Sequence, residues 1–230
     1  MNIITIDPSL SCTAMVVNDK KFIYTTNDTA KTKTGKLKNW FALCEPLITY
    51  RFHDNISEDD HILSEVKKFN LYSYLVYRIK SDILDNIDRE KAYIIAIEGY
   101  SHSSNAGPLI DLVTFGTLLR NEVLQIDPLI DLQIIPPTSL KLEAAKLTYP
   151  PIEKGVKIKK YEWRNNEGVS GGGFTKIDMC KALLENNDLS CDWVTMLRDN
   201  KENILSLKNI PKPIEDMNDA KLLYEILLKK

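Results

Sequence analysis

Two apolar segments of this chain each end in a carboxylate. Asp7 follows the segment NIITI, and Glu98 follows YIIAI. Two more acids, Asp216 and Asp219, lie three residues apart near the C-terminus. Burial of a carboxylate is costly unless it is paired or binds a cation, so acids at the ends of buried strands raise the question of a metal site. If the four acids converged, their oxygens would suit divalent cations such as Mg²⁺, pairs of which can hydrolyse phosphate esters.

Each acid also has an explanation that needs no metal. Asp7 precedes Pro8 and Ser9, which are common turn residues, so a turn explains it equally well. Asp216 stands where a helix cap belongs, and acids in a first helical turn stabilise the helix dipole. Residues three apart lie on one face of a helix, so Asp216 and Asp219 project together in either case. The spacing alone leaves open whether the four acids meet.

Composition indicates an ordinary globular protein. The chain has 230 residues, 43% of them hydrophobic and 27% charged, which is enough for one good core and predicts a single domain. We expect no membrane span, because no apolar run approaches the roughly 18 residues required. The N-terminus lacks the basic region of a signal peptide, so we expect a cytoplasmic protein. The cysteines form no CxxC pair, which argues against zinc and disulfides and favours a reducing compartment. They are Cys12, Cys44, Cys180 and Cys191.

Charge is distributed unevenly along the chain. The net charge is −2, which by itself does not indicate a nucleic-acid-binding protein. The segment 141–181 carries nine basic and five acidic side chains, a net +4, which leaves −6 for the remainder. This basic segment is either an electrostatic footprint for phosphates or a solvated loop, and charge alone does not decide between them.

The N-terminal part of the chain predicts a β-meander. Residues 2–6 predict a strand, and TAMVVND and KFIYTTND predict two more that turn at 18–21. The polar residues 29–38 predict a loop. The segment WFALCEPLITYRFHDN, interrupted by Pro46, is interpreted as an irregular β-like insertion.

The rest of the chain alternates helices with strands. Apolar residues three and four apart predict a long amphipathic helix over 60–87, and AYIIAIEGY is typical of a strand buried on both faces. Further helices are predicted at 107–125, at KIDMCKALLEN and at DMNDAKLLYEILLKK, and LQII predicts a short strand stopped by two prolines. Residues 146–173 lack periodicity and are interpreted as a mobile or ligand-ordered loop. The element order predicts a mixed α/β layer fold.

Six segments resemble, in order, the motifs of the RuvC family of Holliday-junction resolvases, within the ribonuclease H-like superfamily. They are IITIDPSLSCTAMVV, AIEGY, DLVTFGTLLRN, IIPPTSLK, GGGFTKIDMCKAL and DMNDAKLLYEILL. The resemblance covers residues 1–18, 90–145 and 170–230, and its specificity comes from the common order of the motifs. The chain departs from the family at Ser9 and Ala14, where glycine is usual. Its extended form is similar to viral and phage members of the superfamily.

The resemblance implies a ribonuclease H-like fold, in which helices flank a mixed five-stranded sheet. It implies one domain over residues 1–230, with insertions near 30–56 and 146–170 whose roles stay open. The acids that it makes both catalytic and metal-binding, with two Mg²⁺ or Mn²⁺ ions per active site, are Asp7, Glu98, Asp216 and Asp219.

Three DNA-binding residues are also implied by the resemblance. Tyr100 corresponds to an aromatic residue that stacks at the junction crossover, although a half-buried tyrosine at a strand end is an equal explanation. Lys141 and Lys176 correspond to basic residues that face the phosphate backbone. A solvated lysine explains Lys141 as well, whereas Lys176 precedes a helix, a place suited to phosphate. Two nearby residues, His102 as a proton carrier and Glu215 as a substitute ligand, are weaker candidates.

The activity implied is that of a crossover-junction endodeoxyribonuclease, which would cut branched DNA and leave a 5′ phosphate and a 3′ hydroxyl. A homodimer is implied as well, with the helices at 60–87 and 107–125 as the candidate interface, because symmetric incision needs two sites related by a two-fold axis. One alternative is a nuclease of the same kind that acts on flaps or other branched DNA. The other is a non-catalytic nucleic-acid-binding protein or an actin-like nucleotide-binding protein, and the latter is disfavoured because PSLSCTA contains no glycine.

Overall fold

The computed structural model describes residues 1–27, 36–56, 58–100, 106–127, 129–154 and 160–229. Its centre is a mixed sheet of six strands in the order β4-β3-β2-β1-β5-β6, in which only β2 runs antiparallel to the others. The strands are β1 (Asn2–Asp7), β2 (Cys12–Val17), β3 (Lys20–Thr26), β4 (Ile48–His53), β5 (Tyr93–Glu98) and β6 (Asp131–Ile135). The parallel strands therefore end at one common edge of the sheet.

Helices cover both faces of this sheet, and a small ribbon lies outside it. The helices are α1 (Lys36–Cys44), α2 (His61–Leu84), α3 (Ala106–Leu124), α4 (Pro137–Thr148), α5 (Lys176–Glu185), α6 (Asp192–Asp199), α7 (Lys201–Leu205) and α8 (Ile214–Leu228). The ribbon pairs β7 (Pro151–Lys154) with β8 (Lys160–Trp163). Within the described ranges, no helix has both the length and the apolar content that a membrane crossing requires.

Strand alternation divides the core into two clusters. Ile4 and Ile6 of β1 pack with α2 and α3 on one face, because alternate side chains of a strand point to opposite faces. Ile3 points to the other face, where α8 and the helices α4 to α6 cover the sheet. Asn18 and Asp19 both have positive φ, 47° and 72°, as the tight turn between β2 and β3 requires.

A buried carboxylate joins the edge strand to α2. Arg51 of β4 donates hydrogen bonds to both oxygens of Asp82, at 2.7 and 3.0 Å, and the Tyr24 hydroxyl donates to the same group at 2.7 Å. Burial raises the pKa of Asp82, but these three donated bonds outweigh burial and hold the pKa below its ordinary value. The network fixes the position of α2 beside β4.

The prediction of a mixed sheet flanked by helices is confirmed, but the predicted number of five strands is wrong. The sixth strand, Ile48–His53, comes from the segment interpreted as an irregular insertion. Pro46 separates this strand from α1, so the segment is a helix followed by a strand parallel to β3. Helix α1 begins at Lys36, inside the predicted loop 29–38, of which residues 29–35 lie outside the described part of the chain.

The prediction that the double proline stops a strand is confirmed, because β6 ends at Ile135. Pro137 then begins α4, since proline is favoured at the first position of a helix. One further segment differs from its sequence-based interpretation. The region 146–173 contains the β7–β8 ribbon and a short 3₁₀ turn at Gly171–Gly173 rather than loop alone. Residues 155–159, between the two ribbon strands, lie outside the described ranges.

Candidate metal centre

Asp7 and Glu98 are brought side by side by two neighbouring parallel strands. β1 and β5 pair in register, with Ile6 opposite Ile97, and each acid is the next residue of its strand. Both acids therefore lie at the carboxyl edge of the sheet. Asp7 is partly buried and Glu98 is buried, as expected for acids that end buried strands.

Helix α8 adds the third acid from the far end of the chain. It packs across β1 and β2, and the Thr5 hydroxyl donates a hydrogen bond of 2.7 Å to the Ala220 carbonyl. This contact holds the first half of α8 against the strand that carries Asp7. Asp219, only 1% exposed, thereby reaches the sheet edge, and Asp7, Glu98 and Asp219 each offer an oxygen within 4.8 Å of the others.

Asp216 borders this group without belonging to the close trio. It lies one turn before Asp219 and accepts a hydrogen bond of 2.8 Å from Lys212, four residues earlier in the sequence. Its negative charge still raises the pKa of Asp7, which shows that the two carboxylates are neighbours. The structure thus brings oxygens of three of the four predicted acids within 4.8 Å of one another and places the fourth acid, paired with a lysine, beside them.

The acids raise one another's pKa. Burial, followed by the charges of Glu98 and Asp216, raises the pKa of Asp7 well above its ordinary value. Burial and the charge of Asp219 raise the pKa of Glu98 to about 7. Burial and the charge of Asp7 raise the pKa of Asp219 to about 8. The acids therefore oppose one another's ionisation, and a bound cation would favour their ionised forms.

The cluster fits a hard divalent cation. Asp219 Oδ1 is buried and has no hydrogen-bond partner among the described residues, so one carboxylate oxygen is available for a ligand. The three mutually close ligand atoms are all carboxylate oxygens, the donors that suit Mg²⁺ and Mn²⁺. Asp7, Glu98 and Asp219 are accordingly the residues that would hold the ion.

Lys176 reaches into the acid cluster. It is the first residue of α5, whose start is fixed by a capping box between Thr175 and Asp178. Its ammonium group is bonded to Asp219. Burial lowers the pKa of Lys176, but the charges of Asp219 and Glu98 outweigh burial and raise it. The residue predicted to face phosphate thus contacts a carboxylate of the cluster.

Lys141 lies close enough to the cluster for its charge to act on Glu98. It is partly buried on α4, and its positive charge favours the ionised form of Glu98. Two cationic side chains from different helices, Lys141 and Lys176, therefore accompany the acids. Whether they also contact phosphate, as the resemblance implies, stays a prediction.

Tyr100 packs against α3. Arg120 donates a hydrogen bond of 2.5 Å to its hydroxyl, and the guanidinium lies 5.2 Å from the ring centre. Gly116, one turn before Arg120, makes room for this ring, because a Cβ there would lie 1.8 Å from the tyrosine oxygen. Tyr100 is therefore a half-buried residue held by Arg120, and its stacking on DNA stays a prediction.

The structure describes only one of the two weaker candidates. His102 lies outside the described ranges. Glu215 is partly buried, and burial together with the charge of Asp216 raises its pKa, but it is not one of the three mutually close acids.

Sequence reasoning missed Arg120 and Lys212, and only Arg120 leaves a signal. Arg120 lies four residues after Gly116 on α3, and a spacing of four places two residues on one face of a helix. Lys212 precedes the first residue of α8, Ile214, so no helical spacing links it to Asp216. Arg120 also donates a hydrogen bond of 2.8 Å to the Gly116 carbonyl, which fixes its side chain beside Tyr100.

The scan against protein-family models finds no match to this sequence, and the search of curated proteins finds none either. The function must therefore be inferred from the geometry of the site and from the motifs in the sequence.

Proposed function

We propose that this chain is a divalent-metal-dependent DNA endonuclease with a ribonuclease H-like fold, of the kind found in the RuvC family. The observation that carries the proposal is the convergence of Asp7, Glu98 and Asp219. These acids come from three distant parts of the sequence and meet at one sheet edge, where a buried Asp219 oxygen has no hydrogen-bond partner in the part of the chain that the structure describes.

The strand order supports the fold assignment. An antiparallel meander of β1, β2 and β3 continues through the parallel strands β5 and β6, and a C-terminal helix returns an acid to the end of β1. Strand β4 extends this arrangement by one strand at the meander edge. The extension corresponds to the predicted insertion near 30–56.

The acids and lysines have distinct roles in the proposed reaction. Asp7, Glu98 and Asp219 would hold the metal ions, with Asp216 beside them. Once bound, a pair of Mg²⁺ or Mn²⁺ ions would activate water and stabilise the leaving 3′ oxygen of a phosphodiester. Lys176 compensates the acids before the metal arrives, and Lys141 adds positive charge where the anionic phosphate must approach. Water adds to phosphorus, and the departing 3′ oxygen takes a proton, which gives the 5′ phosphate and 3′ hydroxyl ends.

A homodimer that acts on branched DNA completes the proposal. Apolar side chains on the outer faces of α2 and α3 are largely exposed, with Ile62 74%, Phe69 52% and Ile110 65% accessible. Contiguous exposed apolar surface marks an interaction site, and a two-fold axis would place two active sites on opposite strands of a junction. We refer to Ile62, Val66, Phe69, Ile110 and Val113 as the outer helix face.

Incision of a synthetic four-way junction tests the proposal. Wild-type protein should cut end-labelled junctions with Mg²⁺ or Mn²⁺ and not with EDTA, and Asp7→Asn should reduce the rate by several orders of magnitude. Asp199→Asn is the matched control, because it makes the same chemical change at an exposed position on α6 and should retain wild-type activity.

A panel of flaps, splayed arms and linear duplexes at one salt concentration would identify the preferred branch, since phosphate binding depends strongly on salt. Equal cleavage by wild type and Asp7→Asn would exclude the proposed chemistry. DNA binding without any cleavage would favour the non-catalytic alternative.

A further inference from the structure

An ion pair lies at the border of the acid cluster. The Lys212 ammonium group donates a hydrogen bond of 2.8 Å to Asp216 Oδ1. Asp216 is only 5% exposed, and its second oxygen, Oδ2, is buried without a hydrogen-bond partner in the part of the chain that the structure describes. Burial of a carboxylate oxygen without a donor is costly. One oxygen of Asp216 is therefore bonded to a lysine, and the other is available for a ligand.

The chain around Lys212 keeps the lysine in this position. Pro211 and Pro213 on either side of it are buried, and proline restricts the backbone. The Glu215 N–H group donates a hydrogen bond of 3.1 Å to the Pro211 carbonyl, which joins this segment to the start of α8. Burial lowers the pKa of Lys212, but nearby negative charges, that of Asp216 first, outweigh burial and raise the pKa. The lysine therefore stays charged beside Asp216 at neutral pH.

This lysine makes the four acids unequal as ligands. Three of them, whose oxygens lie within 4.8 Å of one another, are referred to here as the close trio: Asp7, Glu98 and Asp219. When ionised, the close trio has three negative charges against the one positive charge of Lys176, a net −2. The single negative charge of Asp216 is balanced by that of Lys212. Because the attraction of a divalent cation increases with the charge of its ligands, the close trio should hold a cation more tightly than a position that depends on Asp216.

We propose that Lys212 weakens the binding of a second divalent cation at Asp216, so that the metal centre binds one ion tightly and a second only at higher metal concentration. The inference rests on the proposed function, because it takes the acids as ligands of two ions. Asp216 Oδ2 is available as a ligand, but the charge of this carboxylate is shared with the ammonium group. Since hydrolysis by a pair of ions requires both of them, Lys212 sets the metal concentration at which the protein becomes active.

The two lysines beside the acids act on different ions. Lys176 is bonded to Asp219, so it shares the charge of the close trio, where a net negative charge remains. Lys212 is bonded to Asp216, where none remains. Removal of Lys212 should therefore change the binding of the second ion and leave the binding of the first unchanged.

Mn²⁺ binding tests this inference without any measurement of cleavage. Full-length protein in metal-free buffer at pH 8 is titrated with Mn²⁺. The electron paramagnetic resonance signal of the free ion counts the bound ions, and calorimetry gives their dissociation constants. Wild type should bind its second ion at least roughly tenfold more weakly than its first. Lys212→Met should strengthen binding of the second ion by roughly tenfold or more and change that of the first by less than about twofold.

Two further substitutions of Lys212 separate its charge from its contact with Asp216. If Lys212→Met unfolds because Asp216 is left buried without a partner, Lys212→Gln takes its place, since the amide still donates a hydrogen bond but carries no charge. Lys212→Arg keeps the charge and should bind the second ion as weakly as wild type does. Lys208→Met is the matched control, because Lys208 is an exposed lysine in the same connection between α7 and α8. It should leave both dissociation constants unchanged.

Asp216→Asn shows whether the lysine acts through this acid. The variant should lose the second ion and keep the first, and adding Lys212→Met to it should leave binding of the first ion unchanged. The inference is overturned if wild type binds two ions with equal affinity, or if Lys212→Met and Lys212→Gln bind the second ion no better than wild type. It is also overturned if both ions respond equally to the loss of the lysine.

Metal binding and cleavage report on different proposals. A protein that cuts DNA with Mg²⁺, but whose second ion is unaffected in Lys212→Gln, would retain the nuclease and remove the role of the lysine. A protein that binds two unequal ions with the expected effect of Lys212→Gln, yet never cuts DNA, would retain the role of the lysine and remove the nuclease. A protein that binds no Mn²⁺ would remove both.

Discussion

The ammonium group of Lys176 is bonded to the Asp219 carboxylate at the centre of the acid cluster. The charges of Asp219, Glu98 and Asp7 together raise the pKa of this lysine in spite of its burial. Lys176 thus supplies positive charge to acids that would otherwise repel one another. Lys176 bonds Asp219 Oδ2, so a divalent cation on Oδ1 must share the negative charge of this carboxylate with the ammonium group.

Lys176→Met should make the metal-free protein less stable and increase its response to metal. The substitution leaves the acids without their counter-ion at pH 8, so the thermal midpoint in EDTA should fall by several degrees, about 2–4 °C for each kcal/mol lost. The increase in midpoint on adding Mn²⁺ should exceed that of wild type, because the ion no longer shares the charge of the acids with a lysine. Thermal unfolding with and without Mn²⁺ measures both effects.

Lys181→Met is the control for that experiment. Lys181 is on the same helix but is paired with Glu167, away from the acids, and its loss should leave the metal response unchanged. A smaller response to Mn²⁺ in Lys176→Met than in wild type would show that the lysine supports metal binding instead of competing with it.

The metal-free protein should lose stability as pH rises from about 5 to 8. The folded-state pKa is about 7 for Glu98 and about 8 for Asp219, above the ordinary values near 4. In this window the folded protein retains protons that the unfolded chain has released. The stability that these protons contribute is fully present below pH 4 and is lost as the pH rises through the folded-state pKa values of about 7 and about 8. Each retained proton contributes a slope of about 1.4 kcal/mol per pH unit.

Urea unfolding in EDTA at pH 5, 6.5 and 8 measures this slope, and Asp219→Asn should flatten it. Saturating Mg²⁺ should flatten or reverse the slope in the wild type, since the ion binds the ionised acids of the folded state. If the stability of the wild type rose steadily from pH 5 to 8 in EDTA, the prediction that Glu98 and Asp219 retain their protons in the folded protein would be contradicted.

Sequence patterns located most of the elements that carry the candidate site. Continuous apolar runs identified β1 and β5, because burial on both faces of a strand leaves a direct pattern. The helix that carries Asp219 was predicted as well, from the segment DMNDAKLLYEILLKK. That the acids meet could not be derived in this way. Their convergence depends on the pairing of β1 with β5 and on how α8 lies across the sheet, which are contacts between distant segments.

Other features had no adequate local signal. The short segment that forms α1 and β4 changes from helix to strand at Pro46, so neither periodicity extends far enough to be recognised. The bond between Lys176 and Asp219 joins residues 43 positions apart, and sequence alone placed the lysine toward phosphate. The fit of Tyr100 over Gly116 depends on side-chain packing across two elements.

Gly116→Ala should destabilise the protein through Tyr100. A Cβ at this position would lie 1.8 Å from the tyrosine oxygen and 2.8 Å from Cζ, so the ring and its bond to Arg120 must move. We expect a loss of roughly 1–3 kcal/mol, as for other overpacked sites, partly offset by the better helix propensity of alanine. Chemical denaturation of the two proteins measures the difference.

Gly107→Ala and a double substitution complete this test. Gly107 is on the same helix, and a Cβ there would meet nothing within 4 Å, so this variant should be neutral or slightly more stable. In a Tyr100→Ala background, Gly116→Ala should no longer be destabilising, because the clash has been removed. If Gly116→Ala destabilised the protein equally with and without the tyrosine ring, the loss of stability would not come from a clash with Tyr100.

Phe69→Glu should dissociate the proposed dimer. Phe69 is 52% exposed on the outer helix face, and a charge there would be buried without a partner if two copies associate through α2 and α3. Burial of this charge should weaken the dimer by roughly 2 kcal/mol or more, which corresponds to an increase of about thirtyfold in the dimer dissociation constant. Light scattering over a concentration series measures the mass, and Leu129→Glu, at an 88% exposed loop position, is the control.

The Phe69→Glu variant should nick one strand of a junction without the paired second incision, because monomers act independently. A wild type that is monomeric yet makes paired incisions would refute the symmetric dimer and leave the acid cluster unaffected.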